Sequence, residues 1–506
     1  MSVLDRLVGW LSRRLGRLSG LFKGREEFDL TEGGIAKPLF YLSLPIVVTN
    51  LMQTAYNLID TFWLGQYSTD ALAAISFAFP MVFLLISVGM GLSVAGSVLV
   101  AQHIGADEES EAEYAASQTV ALSLLGAGIL GLVGYVFVEE LLGLLGASPD
   151  VLPLATDYME VISAGMPFMF GFFVFIALMR GYGDTITPML VMFGSVVLNV
   201  ILDPFLIFGW TVVENAPLVG TIAFPELGIQ GAAIATVLSR GLALVVGLAI
   251  MFRGTRGVRI RLRQMRPDLS YARKLVRIGF PASIEGMGRA LSINLLLVIV
   301  ALFPSTVVAA YGVGTRVFSV IFLPAVAVAR GVETMTGQNM GAEKPDRAKA
   351  AADFAARTMF VILGALGVVA WIGARPIIAV FTTDPEVVEI GTTFLRYVAP
   401  SFGFIGVMRS YNGSFRGTGK TLTAAAIVLV TYAVVRLPIA ALLSQTTMEY
   451  RGIWLAFAVS NVVGASLAYG WYRRGTWRTA DVTEGPTGPA IGDDLEVGET
   501  EASTDD

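Results

Sequence analysis

Cysteine is absent from the 506-residue chain, and histidine occurs once. The first absence excludes disulfides, thiolate metal sites and a cysteine nucleophile. The second leaves His103 unable to build a metal cluster, so it reads as a structural residue at a helix end. Charge is scarce as well: Asp, Glu, Lys and Arg make up 15% of the chain against 55% hydrophobic residues, and mean hydropathy is +0.69. Too few charges remain to cover a soluble globule of this size, which directs the chain to a lipid bilayer. The alternating apolar and polar segments of a membrane barrel are missing too. The expected fold is therefore helical, an all-α membrane protein. The apolar segments also lack a His-carboxylate metal motif or nucleophile elbow, so the chain reads as a non-enzyme.

Apolar stretches long enough for a helix to cross about 30 Å of hydrocarbon run approximately from 38 to 65, 71 to 103, 112 to 137, 152 to 180, 186 to 210, 228 to 252, 271 to 303, 306 to 338, 348 to 373, 387 to 415, 420 to 444 and 450 to 473. Lys and Arg crowd alternate loops, including Arg13, Arg14 and Arg17 before the first span and Arg253 to Arg277 between the sixth and seventh. Such loops stay cytoplasmic, so both termini are expected inside. Residues 1–29 read as a basic, amphipathic segment lying on anionic lipid. Residues 477–506 read as an acidic tail without a packed core.

Landmarks recur at one constant offset along the chain. Pro45 is followed by Pro281, Gln102-His103-Ile104-Gly105-Ala106 by Gln338-Asn339-Met340-Gly341-Ala342, and Arg180-Gly181-Tyr182-Gly183 by Arg416-Gly417-Thr418-Gly419. Twelve spans thus divide into two six-helix bundles, 30–252 and 270–476, joined by a basic linker at 253–269. An even number of spans per copy gives both the same orientation, related by a pseudo-two-fold axis along the membrane normal. Gly228-Ile229 matches Gly452-Ile453 at a shorter offset, so the first copy carries a short extra segment between Gly209 and Gly228. Gly417 to Thr421 has the look of a phosphate-loop end, but Asp184 replaces Lys420 in the other copy, which argues for a turn between helices.

Asn50, Gln53, Asn57 and Asp60 fall within an arc of about 80° on the first helix. A carboxylate at the centre of a span costs roughly 2.5–3.5 kcal/mol on insertion scales, so Asp60 should face protein or a water-filled cavity; the plainer reading is a solvated helix end. Ser195, Asn199 and Asp203 share one face of the fifth span, with Pro204 freeing a backbone carbonyl beside them. Two carboxylates with amides beside them suit a proton or sodium site, where protonation rearranges hydrogen bonds. Thr236 adds a hydroxyl from the next helix, unless its small neighbours are only packing. The second copy has Leu296 opposite Asp60 and Ile439 opposite Asp203, and offers Glu285, Arg289, Arg316, Arg330, Glu333 and Arg436 instead. Glu285 and Arg289, four residues apart, suit an internal ion pair. In the fourth span Met166, Met169 and Phe173 are candidate walls for a greasy ligand, although most such residues meet lipid or pack.

This ordered set resembles the multidrug and toxic compound extrusion family, the MATE transporters: Pro45, Asn50, Gln53, Tyr56 and Asp60; the Gln102 to Ala106 turn; Arg180 to Thr185 with Pro188; Asn199 to Pro204; Gly228 to Thr236; Gly279-Phe280-Pro281; and Gln338 to Ala342 with Arg416 to Thr421. The resemblance implies a monomeric antiporter in the plasma membrane of a prokaryote. It would export small, often cationic or amphipathic drugs in exchange for a proton or sodium, rocking two lobes, with no cofactor and no nucleic-acid partner. Its DinF-type branch, which includes archaeal members, carries the ion site in the first lobe, here Asp60, Asn199, Asp203 and Thr236, with sodium held at Asp60, Asn199 and Asp203. The NorM-type branch needs a tenth-helix carboxylate, which Phe394 to Phe415 lacks. The alternative within the superfamily is a flippase for lipids or lipid-linked oligosaccharides, which calls for a strongly cationic central cavity.

Overall fold

The computed structural model describes residues 27–144, 148–216 and 220–479. The basic segment up to residue 26 and the acidic tail from residue 480 lie outside the described residues. The first repeat consists of α1 (Ala36–Tyr67), α2 (Thr69–Gly105), α3 (Glu109–Leu144), α4 (Leu152–Ala164), α5 (Met166–Tyr182), α6 (Ile186–Phe208) and α7 (Gly228–Arg253). The second contains α8 (Leu269–Val300), α9 (Ser305–Gly341), α10 (Pro345–Ile372), the short α11 (Ala374–Ala379), α12 (Pro385–Val398), α13 (Phe402–Gly417), α14 (Thr421–Leu429), α15 (Leu437–Leu443) and α16 (Tyr450–Arg473). A π-helical stretch, Val430–Arg436, joins α14 to α15.

Among the described residues nine helices are long and apolar enough to cross a membrane, ten when the bent pair α4 and α5 counts as one. That pair bends by 55° at Gly165, next to Met166-Pro167, where a proline cannot donate to the helix ladder. Helix α1 stands outside this set, because its polar stripe dilutes the apolar run that Pro45 and its neighbours begin. The expectation of an all-α chain needs one correction. The extra segment of the first repeat forms a two-stranded antiparallel hairpin, β1 (Trp210–Ala216) with β2 (Gly220–Phe224). A short insertion between two helix ends can pair its own backbone groups only in this local way.

The repeats exchange their first turns. Leu39 and Leu42 of α1 are buried in the core of the second repeat, among Val332, Met335 and Ala352. Their counterparts in the repeat register, Leu275 and Ile278 of α8, are buried in the core of the first, among Ala95, Leu99 and Met179. Accordingly α1 packs on α9 and α8 packs on α2. Hydrogen bonds between the repeats cluster at the end bearing the basic loops, as with Thr334 Oγ1 donating to the Arg180 carbonyl (3.1 Å), and one more lies near mid-span, from Ser283 Oγ to the Val88 carbonyl (2.8 Å).

The basic linker is docked rather than loose. Gln118 on α3 donates to the carbonyls of Gln264 (2.6 Å) and Arg266 (2.7 Å) and accepts from the Asp268 amide (3.1 Å), while Arg261 pairs with Glu113 at 2.6 Å. The turns after α5 and α13 both carry a glycine at positive φ, Gly183 at 104° and Gly419 at 78°. The second is thus a helix-connecting turn like the first. His103 accepts or donates at Nδ1 to Glu108 (2.7 Å) at the end of α2.

Candidate functional site

Helices α1, α6 and α7 pack together and bring the polar stripes to one place. Asp60, Asn199, Asp203 and Thr236 are all buried, Asn199 and Asp203 completely. Asn199 Nδ2 donates to Asp203 Oδ1 at 3.0 Å, and the hydroxyls of Tyr56 and Thr236 share a hydrogen bond of 2.6 Å. Three oxygens of the cluster remain without a partner: Asp60 Oδ1, Asp203 Oδ2 and Asn199 Oδ1. Buried acceptors are normally satisfied, so the set is suited to a proton or a hard cation, which takes oxygen ligands.

A cavity of about 320 Å³ opens beside this cluster. Gln53, Tyr56, Asn57, Asp60 and Thr236 supply its polar wall, and Met169 and Phe173 part of its apolar wall. Ser195 stands behind it, donating to the Ser239 carbonyl across α6 and α7 (3.1 Å). Met166 of the fourth span and Asn50 of the first-helix stripe stand elsewhere. Met166 is fully buried in the core against α3, and Asn50 does not reach the cavity, its Nδ2 lying buried without a partner.

Sequence reasoning missed Arg240. Its side chain is buried, with Nη2 donating to Gln53 Oε1 at 2.7 Å and Nη1 to Met192 Sδ at 2.9 Å, and its guanidinium lies 4.9 Å from the Tyr56 ring centre. Gln53 passes this contact on to Asn57 at 3.1 Å. Arg240 stands four residues after Thr236 and so on the same helix face, a signal that was legible in the chain.

The second repeat holds a different arrangement. Glu285 does not pair with Arg289, because the Arg416 guanidinium reaches it from α13 with bonds of 2.9 and 3.1 Å. Glu333 is bonded by Arg330 (2.9 Å) and Arg416 (3.0 Å). Arg289 instead borders two cavities, one of about 150 Å³ between the repeats and one of about 400 Å³ within the second. Arg316 is exposed. Arg409, which sequence reasoning also missed, is buried 4.5 Å from the Phe322 ring centre. Among the described residues no group of three or more His, Cys, Asp or Glu could hold a metal.

A family profile described as MatE matches residues 45–205 and 281–442, the same stretch of each repeat. The probable multidrug resistance protein YoeA of Bacillus subtilis (strain 168) is 28% identical over 445 residues, covering 87% of this chain and 94% of that protein. An FAD transporter of Shewanella oneidensis is 30% identical over 448 residues, covering 88% and 96%. A crystal structure of MATE in complex with MaL6 superposes with a TM-score of 0.80 at 24% identity, covering 88% of this chain and 97% of the other. Matched in both halves by one profile and along nearly its whole membrane region by these relatives, the chain belongs to the MatE family of multi-pass membrane transporters.

Proposed function

We propose that this chain exports drug-like organic molecules in exchange for a proton or a sodium ion, in the manner of the DinF-type branch. The names of relatives such as the Bacillus multidrug resistance protein support that class of cargo. In this reading the chain crosses a bacterial plasma membrane twelve times. Two six-helix lobes are related by an axis along the membrane normal, both termini are cytoplasmic, and one molecule suffices. The observation that carries the coupling is the pair of buried carboxylates, Asp60 and Asp203, each with an unpartnered oxygen, Asp60 standing on the cavity wall.

The chemistry follows from charge. Two carboxylates held in one apolar lobe repel when both are ionised, and binding one cation relieves that repulsion. Sodium would be held by Asp60, Asp203, the free Asn199 oxygen and the Thr236 hydroxyl. A proton would turn one carboxylate into a donor towards a neighbouring oxygen. Either event changes the hydrogen bonding of α1 against α6 and α7, and with it the cavity lined by Gln53, Tyr56 and Asn57. An amphipathic cation entering that cavity competes for the same negative charge, which makes the exchange obligatory. No cofactor enters this scheme.

The test is efflux of ethidium or norfloxacin from proteoliposomes under separately imposed pH and sodium gradients. Asp60→Asn and Asp203→Asn should each abolish gradient-driven transport while leaving the protein inserted and its thermal unfolding unchanged. Gradient-driven transport at the normal rate by either variant overturns the reading.

A further inference from the structure

We infer that the second repeat carries a binding site for an aromatic anion, a carboxylate or phosphate ester on a flat apolar body. It deepens the transporter reading above, on which it rests for the role of the cavity. The 400 Å³ cavity of the second repeat is the repeat mate of the 320 Å³ cavity of the first: its lining on α8 and α9 falls in register with the lining on α1 and α2. Two of the paired positions change the charge of the lining, although Arg240 also borders the first cavity. Gln53 becomes Arg289 and Asp60 becomes Leu296; Phe173, on α5, corresponds on α13 to Arg409, which borders the neighbouring 150 Å³ cavity.

The ion cluster is inverted in the same way. Thr236 corresponds, in the register of Gly228 with Gly452, to Ser460, whose hydroxyl accepts from Arg436 Nε at 2.8 Å, while Arg436 Nη2 donates to Asn461 Oδ1 at 2.9 Å. In the register of Pro45 with Pro281, Asn199 falls on Val435, and the π-helical stretch makes room for one additional residue, which brings Arg436 to that station. Where the first repeat keeps oxygens open for a mobile cation, the second has a fixed guanidinium.

That charge is not neutralised locally. No Asp or Glu lines the larger cavity among the described residues. The nearest acid, Glu285, is already bonded twice by Arg416, and Arg409 reaches it only at 4.0 Å. Arg409, which borders the neighbouring 150 Å³ cavity and bonds the Tyr432 hydroxyl, is 95% buried and keeps Nε and Nη2 without a partner. Glu285 and Glu333 between them already face Arg180, Arg330, Arg409 and Arg416, and no ion pair among the described residues includes Arg289 or Arg436. A buried guanidinium calls for an anion with acceptor oxygens, in fork geometry where it can be had. The walls choose the body: Tyr311, Phe318, Phe322 and Phe457 present rings around the cavity, and Arg409 and Arg436 already lie over Phe322 and Phe457. Rings of this kind stack on a flat partner.

The experiment is isothermal titration of the purified full-length protein in detergent with 1-naphthyl phosphate and, as the matched cation, (1-naphthylmethyl)trimethylammonium. The phosphate is expected to bind with one-to-one stoichiometry. Arg289→Gln and Arg436→Gln should each weaken it about 10- to 100-fold, the loss of a charged hydrogen bond, whereas the exposed Arg316→Gln should not change it. Arg436→Gln removes two internal bonds and is read only if its thermal unfolding is cooperative; Arg289→Gln, which makes no salt bridge among the described residues, decides the matter alone. No binding of the phosphate, equal binding in Arg289→Gln, displacement by the matched cation, or displacement by dihexanoyl phosphatidylglycerol at the same concentration as the naphthyl compound would each overturn the proposal. Because binding needs no gradient, Asp60→Asn should bind the phosphate as the wild type does, whether or not the coupling assignment holds.

Discussion

Gln102 and Gln338 make the same bond in opposite directions. Gln102 Nε2 donates to the Gly417 carbonyl at 2.9 Å, and Gln338 Nε2, its repeat mate, donates to the carbonyls of Gly181 at 3.1 Å and Tyr182 at 3.0 Å. Each glutamine also offers its own backbone carbonyl to a glycine of the other repeat. A methyl group on Gly341 would run into the Gln102 oxygen, and one on Gly105 into that of Gln338. The repeats are therefore clasped at the basic end by reciprocal contacts that only glycine and glutamine at these positions allow.

Removing either amide should loosen the clasp without unfolding the lobes. Gln102→Ala forfeits one buried hydrogen bond of about 1 kcal/mol, a roughly fivefold shift in population, and Gln338→Ala, which gives up two, should shift it at least as far. Ala101→Cys, buried beside Gly337, is a reporter in a chain free of other thiols, and its maleimide labelling should accelerate by about that factor.

A disulfide across the same end should stop transport. An ideal Cβ on Gly331 of α9 would stand 3.7 Å from Leu42 Cβ of α1, within the disulfide range of about 3.5–4.5 Å. Leu42→Cys combined with Gly331→Cys should oxidise readily, lose efflux, and regain it on addition of dithiothreitol. Undiminished efflux from the oxidised protein would mean that the repeats need not separate there.

Glu333 is a structural anchor. Its side chain is 1% exposed and holds both Arg330 and Arg416, so Glu333→Gln leaves two guanidiniums short of their shared counter-charge. Breaking a buried pair from one side costs about 3–5 kcal/mol. The part-exposed Lys349–Asp353 pair, at 2.8 Å, is worth under about 1 kcal/mol. Thermal unfolding of Glu333→Gln against Lys349→Ala should separate the two.

The linker docking should weaken in acid. Asp268 caps α8, and the Ser270 hydroxyl (2.7 Å), with the Tyr114 hydroxyl (2.9 Å) and two backbone amides, holds its carboxyl below the usual carboxylate range, against the opposing effect of its slight burial. A lowered folded-state pKa gives stability that is present above the ordinary carboxylate value and lost as pH falls through the depressed one. Hydrogen exchange across 261–268 should therefore rise only in that acidic window, and Asp268→Ala should raise it at neutral pH. Losing such a cap costs about 0.5–2 kcal/mol, here near the lower limit because the group is largely exposed and screened.

Periodicity made the helices legible, and the constant offset exposed the repeat. The stripe on α1 and the Asn199–Asp203 pair were visible because a carboxylate in an apolar run has few cheap places to be. Arg240 sits one turn from Thr236, but arginine on a helix face commonly snorkels or pairs, so the sequence alone gives it no special rank. Along its own helix Glu285 has Arg289 as its i+4 neighbour, and local spacing is all that one helix shows. Arg416 is 131 residues away in sequence, and nothing in the sequence ranks it above Arg289.

The chain by itself determined that the protein lies in a membrane, that it is built twice from one unit, and that the paired carboxylates were not duplicated. Hydrophobicity, charge sign and register are properties of a string of residues, so they survive without coordinates. The tertiary structure alone decided that α1 and α8 exchange their first turns, that the clasp is reciprocal, and that the second repeat has its own cavity in matching register, with arginine where the first has amide and leucine where it has Asp60. These are relations between helices distant in sequence, fixed by which faces can approach closely enough to pack, and no one-dimensional pattern specifies that geometry.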